Sequence, residues 1–448
     1  MVGTGRDERT TALTEQRTVP AGVAPRVVPA GTVRRTAPAD GAGQTALPAW
    51  ALGRPAWYGA LVLAVLSVTA RAIRAAITPA NPLDLEVYRD AVLAWLGGGP
   101  VYSLAFTSAA LPFTYPPAGL VTLAWTAAVP FPVAAVLMAT ASLAALIAVC
   151  VLTGRRVGLP PVAVAVAVAV TVWLEPALQT VDFGQVNLLL LLLVVADALV
   201  VPPRWRGLLS GVATAVKLTP GVFVLYFVVT GQWRAAARQA GAAVAVTLAV
   251  VPLTPHSSWR YWTRLVFDGS RAGLPGWPGN QAWTGLSARA LGSGAASTAS
   301  TAVLSLLSLA VAAVAARRLH RAGATVAALG AVGLLGLLVS PISWSHHWVW
   351  ALPAVLALVG GRRPVVWASG LVLAAVLAAG PQWWFERGDE AYLHWPWWAL
   401  IAGDLYPLVG FGCLVVLLVW PAWVGRDSGW SAHQDISSRS ASAGSIGP

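Results

Sequence analysis

Apolar stretches close to membrane-spanning length recur along almost the whole chain, at about 57–77, 131–153, 160–177, 185–201, 207–230, 235–252, 297–316, 324–342, 347–361, 364–385 and 398–424. A helix of roughly 20 apolar residues crosses a bilayer. The 448 residues are therefore read as one polytopic membrane domain rather than as several soluble ones. Only 10% of residues are charged and 57% are hydrophobic, against roughly a quarter charged in an average soluble domain. The 29 basic and 17 acidic residues give a net charge of +12. In a soluble chain that excess would suggest nucleic acid, but here the bases sit between apolar runs, where they act as topology signals. Cys150 and Cys413 both lie inside apolar runs, which is neither a disulfide framework nor a metal-site spacing.

The basic groups are Arg155-Arg156, Arg204 with Arg206, Arg234 with Arg238, Arg317-Arg318 with Arg321, and Arg362-Arg363. Placing all of them on the cytoplasmic side, as the positive-inside rule expects, imposes two conditions. Residues 111–130 cannot form a full span, and the stretch is expected to be a re-entrant or juxtamembrane helix on the outer side. Residues 207–230 must be two half-helices meeting near Lys217-Leu218-Thr219-Pro220. Broken backbone at membrane depth is tolerated only where protein or a wet cavity surrounds it. The expected fold is an all-α integral membrane bundle of about twelve helical segments, with long outer loops at 78–112 and 253–296. Residues 1–55 and 425–448 lack apolar periodicity and are expected to be disordered cytoplasmic tails, the first of them not a signal peptide. The folded domain is expected over 56–424.

On this topology the unusual polar residues gather on one side, the outer face: Asp84, Glu86 and Asp90; Glu175, Asp182 and Gln185; Asn280 and Gln281; His346 and His347. Asp84 fits either a general base acting on a hydroxyl at the membrane surface or a helix N-cap. Lys217 is the only lysine. A charge inside an apolar run marks a ligand site by default, so it reads either as an anion contact, such as to a phosphate, or as the partner of Asp182 or Asp197. The adjacent histidines project in different directions on a helix, which suits hydrogen bonds to a phosphate or sugar hydroxyl better than metal ligation. Tryptophan, present 23 times, suits both headgroup belts and sugar stacking. Arg71, Arg74, Arg260, Arg264 and Arg271 lie on the outer side, where guanidinium groups either hold lipid phosphates bidentately or remain solvated. The sequence carries no P-loop or dinucleotide fingerprint.

Six segments, in order, resemble glycosyltransferase family 87, integral membrane enzymes of the GT-C superfamily that use polyprenol-phosphate sugars. They are Asp84-Leu85-Glu86-Val87-Tyr88; Pro112-Phe113-Thr114-Tyr115-Pro116-Pro117; Glu175-Pro176 with Phe183-Gly184-Gln185-Val186-Asn187; Lys217-Leu218-Thr219-Pro220; Asn280-Gln281; and Ser340-Pro341-Ile342-Ser343-Trp344-Ser345-His346-His347-Trp348-Val349-Trp350.

The resemblance implies inverting transfer of mannose from polyprenyl-phosphate mannose to a mannosylated glycolipid of the phosphatidylinositol mannoside or lipomannan type. It implies an α-(1→2) linkage made at the outer face of the plasma membrane, with both termini cytoplasmic. Asp84 matches the family's general base. Lys217, His346 and His347, helped by Arg71, would face the donor phosphate and sugar. Glu86, Tyr88, Tyr115, Glu175, Asp182, Gln185, Asn187, Asn280, Gln281 and Trp344 would line the substrates. No cofactor and no metal ligand set is expected, and a divalent-metal requirement stays open, as does oligomeric state. An arabinofuranosyltransferase using decaprenyl-phosphate arabinose is the alternative within the family. A lipid or glycan transporter is the alternative from another class, although transporters carry paired broken helices and the sequence shows one.

Overall fold

The computed structural model describes residues 54–77, 82–425 and 427. The two expected tails therefore lie outside the described residues except at their inner margins. The first helix already runs Arg54–Ile77, and Asp427 accepts a hydrogen bond from the Thr325 N–H at 3.2 Å and pairs with Arg156 at 3.3 Å.

The described chain is a helical bundle with a single two-stranded antiparallel ribbon, Ala105–Phe106 against Leu111–Pro112. Five helices are long and apolar enough to cross a bilayer: Ala56–Arg74, Phe131–Arg156, Trp233–Leu253, Ala295–Arg321 and Pro364–Trp383. Two bent pairs, Pro161–Thr171 with Glu175–Asp182 and Trp397–Gly403 with Leu405–Val419, bring the number to seven if each is one span. The remaining apolar runs form the shorter helices Asn187–Leu199, Thr219–Val229, Thr325–Val339 and Ser345–Val359. Five to seven segments are thus long enough for full spans, and the other apolar runs form shorter helices, because polar and proline-bearing stretches such as Asn187, Lys217 to Pro220 and Ser340-Pro341 cut them short.

The broken segment is present. Lys217 has extended backbone (φ −147°, ψ 133°) between Leu208–Val216 and the turn Thr219–Val222. Proline at 220 has no N–H to offer the helix. Residues 111–130 differ from the expected single helix. Leu111–Pro112 is a strand, and helix begins only at Pro117. Proline restricts its predecessor to extended backbone yet suits the first helical position.

Helix Thr325–Val339 is buried on every side. A Cβ on Gly330 would lie 2.6 Å from the backbone of Ala354, and one on Gly333 2.6 Å from the Trp350 carbonyl. Small residues on one helix face let neighbouring backbones approach closely where the membrane supplies no hydrophobic drive. Buried Arg289 pairs with Asp404 (Nε to Oδ2, 3.2 Å) and donates to the carbonyls of Gly276, Trp277 and Asn280 at 2.9–3.1 Å. Arg289→Met strands Asp404 and those carbonyls without partners. Breaking a buried ion pair in this way costs about 3–5 kcal/mol, so a clearly lowered melting temperature of the purified protein is expected; an unchanged one contradicts the role assigned to the pair.

Candidate active site

A cavity of about 850 Å³ opens among the helices. Asp84 is the only carboxylate among its lining residues, beside Tyr88, Tyr115, Gln185, Lys217, His346 and His347.

Asp84 lies in the first turn of helix Leu83–Leu96, whose N-cap position is Pro82. The N–H groups of Asp84 and Leu85 both donate to the carbonyl of Phe183, at 3.1 and 3.0 Å. The orphan donors of a helix start need a partner, and a carbonyl distant in sequence provides it. The N-cap reading therefore fails, and the carboxylate is left for the cavity. The turn that supplies the carbonyl depends on Gly184, at φ +70°. A Cβ there would lie 2.7 Å from that of Leu85.

The next residue, Gln185, hydrogen-bonds the Asp84 carboxylate. Its Oε1 accepts from the Tyr115 hydroxyl at 2.8 Å, and Tyr115 meets the Tyr88 hydroxyl at 2.7 Å. Burial pushes the Asp84 carboxyl up to about 6, against the opposing pull of the Gln185 hydrogen bond and the Lys217 charge. A base must be ionised to accept a proton. The rate is therefore expected to fall as pH drops through about 6. A profile of kcat/KM flat across that region contradicts the assignment of Asp84 as the base.

Lys217 reaches the same cavity from the helix break. Its Nζ donates to Asn187 Oδ1 at 2.8 Å, lies 3.2 Å from His347 Nε2 and sits 4.8 Å above the Tyr115 ring. Asp182 is taken up by Arg71 and Arg74 (2.7 and 3.3 Å), and Asp197 by Gly207 and Ser210. The ion pairs expected as alternatives for Lys217 are therefore not formed. With the lysine charged, His347 Nε2 is the acceptor and the imidazole is neutral with its proton on Nδ1. His346 stands at 87° to His347, ring centroids 4.7 Å apart. Its Nε2 is buried without a protein partner among the described residues. A buried polar atom left open at a cavity wall is a natural contact for a ligand hydroxyl or phosphate.

Other expected site residues stand behind this lining. Arg71 is a correction: it is fully buried, donating to Asp182 and to the Leu178 carbonyl at 3.0 Å, and does not line the cavity. Asp182 is likewise committed to that pair. Glu86 lies on the same helix as Asp84 but outside the lining. Glu175 accepts from Trp383 Nε1 at 2.6 Å and from the Tyr406 hydroxyl at 2.8 Å. Asn187 holds Lys217. Asn280 Oδ1 accepts the Ser343 N–H at 2.9 Å, and the Gln281 N–H donates to the Ser343 carbonyl at 2.8 Å. Together they pin the loop that carries Trp344 and the histidines.

Gln179, Tyr261, Arg271, Trp277 and Trp383 also line the cavity and were not expected there. Arg271, read from sequence as a lipid-phosphate or solvated arginine, donates to the carbonyls of Tyr102 and Phe113 at 3.3 and 3.2 Å. The density of Gly and Pro over 273–279 was the available signal for an ordered loop. Among the described residues, no group of three or more His, Cys, Asp or Glu side chains is placed to hold a metal ion.

The described lining thus sets one carboxylate beside a lysine and two histidines, a proton acceptor next to a cation that can meet an anionic group. The chain belongs to glycosyltransferase family 87, whose model matches residues 113–341. It is 37% identical over 355 residues to the polyprenol-phosphate-mannose-dependent alpha-(1-2)-phosphatidylinositol mannoside mannosyltransferase of Mycobacterium tuberculosis, covering 71% of this chain and 82% of that protein. The protein of the same description from Mycolicibacterium smegmatis is 36% identical, covering 75% and 83%. The M. smegmatis alpha-(1-2)-phosphatidylinositol pentamannoside mannosyltransferase is 32% identical, covering 82% and 92%. No solved structure matches the chain significantly.

Proposed function

We propose that this glycosyltransferase moves mannose from polyprenyl-phosphate mannose to a mannosylated glycolipid, with inversion to an α-(1→2) linkage. The observation that carries the reading is the lone carboxylate. A retaining glycosidase needs a nucleophile and an acid, hence two carboxylates, whereas one suffices for a single displacement whose leaving group is already an anion. Asp84 takes the proton from the acceptor hydroxyl, and that oxygen bonds to the anomeric carbon from the face opposite the phosphate. The carbon–oxygen bond to phosphate breaks, and polyprenyl phosphate leaves with the electron pair. Lys217, oriented by Asn187, meets the charge developing on that phosphate, as preorganised electrostatics require. His347 and the open Nε2 of His346 supply further contacts to phosphate or sugar. The names of the relatives support mannose as the sugar and a phosphatidylinositol mannoside as the acceptor.

The reading places the site at the outer face of the plasma membrane. Supporting it, none of the basic groups expected to be cytoplasmic lines the cavity. Several of them meet one another elsewhere: Arg238 donates to the Arg206 carbonyl at 2.8 Å, and Arg156 and Arg206 border one small separate pocket with His320. Basic residues gathered at one end mark the cytoplasmic side.

The test is transfer in isolated membranes from radiolabelled polyprenyl-phosphate mannose to phosphatidylinositol mannosides and to lipomannan. Label is expected in a glycolipid sensitive to α-mannosidase. Label arriving only from decaprenyl-phosphate arabinose would overturn the donor assignment.

A further inference from the structure

The 23 tryptophans sort by burial into distinct populations. Trp259 and Trp397 are 73% exposed on the outside of the bundle, whereas Trp348 and Trp350 are sealed in the core. Trp277, Trp344 and Trp383 belong to neither group: they are half-buried and line the cavity.

All of them are held in place: the short loop 273–279 carries Trp277 and lies against Trp344 and Trp383. A Cβ on Gly273 (φ +124°) would lie 2.7 Å from the Trp344 ring. A Cβ on Gly279 would lie 3.0 Å from the Trp383 ring and 3.1 Å from that of Trp277. Glycine at both positions lets the loop backbone lie directly on the rings. The polar residues behind the cavity serve the same end. Glu175 places a buried carboxylate on the Trp383 indole N–H, Asn280 bridges to the backbone of Trp344, and Trp277 packs edge-on against Tyr392 at 5.7 Å. Ordering large side chains is costly in conformational entropy, and the chain spends a buried acid on doing so here.

We propose that Trp277, Trp344 and Trp383 form the subsite for the acceptor's sugars, with Glu175 and Asn280 as positioning residues. This rests on the acceptor being a mannosylated lipid, as argued above. The donor carries one sugar and is fastened by the charge of its phosphate. An acceptor glycan has no such charge of its own, so its C–H faces need apolar surface while its hydroxyls reach the polar wall. Rigid indole faces provide amphipathic area of that kind.

The test separates binding from transfer. In saturation-transfer NMR, purified protein is titrated with methyl α-dimannoside, a lipid-free probe. Sugar C–H protons are expected to saturate with wild type, and the affinity is expected to fall tenfold or more in Trp344→Leu and in Trp383→Leu. In transfer assays the same variants raise the acceptor KM at least tenfold while the donor KM moves less than twofold. Glu175→Ala reproduces the acceptor defect and Glu175→Gln, which keeps an oxygen for the indole, restores acceptor KM. Because Trp344 and Trp383 are separate sites, one variant that fails to fold leaves the other to decide. Equal dimannoside affinity in wild type and variants, or a defect confined to donor KM, overturns the subsite. Dimannoside binding lost in the variants, together with a wild type that transfers no mannose, upholds the subsite and overturns the donor chemistry instead.

Discussion

Asp84→Asn is expected to lower kcat by about 10³-fold or more, at the upper end of what a general base contributes, with folding and donor KM close to wild type. The amide has the shape of the carboxylate and still offers Gln185 an oxygen. The N–H groups of residues 84 and 85 keep their bonds to the Phe183 carbonyl, because those bonds belong to the backbone. Only proton acceptance is lost. Among the described residues no other carboxylate lines the cavity to take over, so the residual rate should be that of positioning and charge stabilisation alone. Steady-state transfer by the purified variant, with its melting curve, checks this; near-normal turnover would falsify the mechanism.

Lys217→Ala is expected to reduce kcat/KM for the lipid-linked donor by about 10²–10³-fold, the range seen when one preorganised contact to a developing anion is removed, and to leave acceptor KM unchanged. The ammonium is nearly buried and reaches the cavity between Asn187 and His347, so no solvent cation can replace it at that position. Lys217→Arg restores the charge but carries a planar fork in place of a compact ammonium. Partial recovery is the expected result. A lesion in Lys217→Ala that appeared only in acceptor affinity would show that the lysine holds the other substrate.

The polar residues that line the cavity were readable because each was costly where it stood. A single lysine in an apolar run, an acid just after a span and paired histidines at the end of one need a reason to exist there, and Asp84, Lys217, His346 and His347 do meet in one cavity. The same logic selected Arg71, Glu175, Asn280 and Gln281, which serve the protein instead. A buried polar group must be satisfied, but sequence cannot say whether a ligand or a neighbour satisfies it. The choice between base and cap at Asp84 turned on a carbonyl at Phe183, about a hundred positions away. Trp277 and Trp383 were hidden for the opposite reason: among so many tryptophans, only the folded position of the loop at 273–279 distinguishes those that line the cavity. Which apolar runs are full-length spans was not legible, because apolar length alone does not register where Asn187, Lys217 and Pro220 break the helix.

The turn at Gly184 couples positions that are far apart in the chain. It supplies the carbonyl that seats the base and carries Gln185, while its α-carbon rests against Leu85. Acid and hydrogen-bonding partner are thus displaced together or not at all. Sequence drift here should therefore be one-sided: the turn runs at φ +70° and an added Cβ would meet the Cβ of residue 85, so position 184 should stay glycine across homologous enzymes even where residue 85 has become smaller.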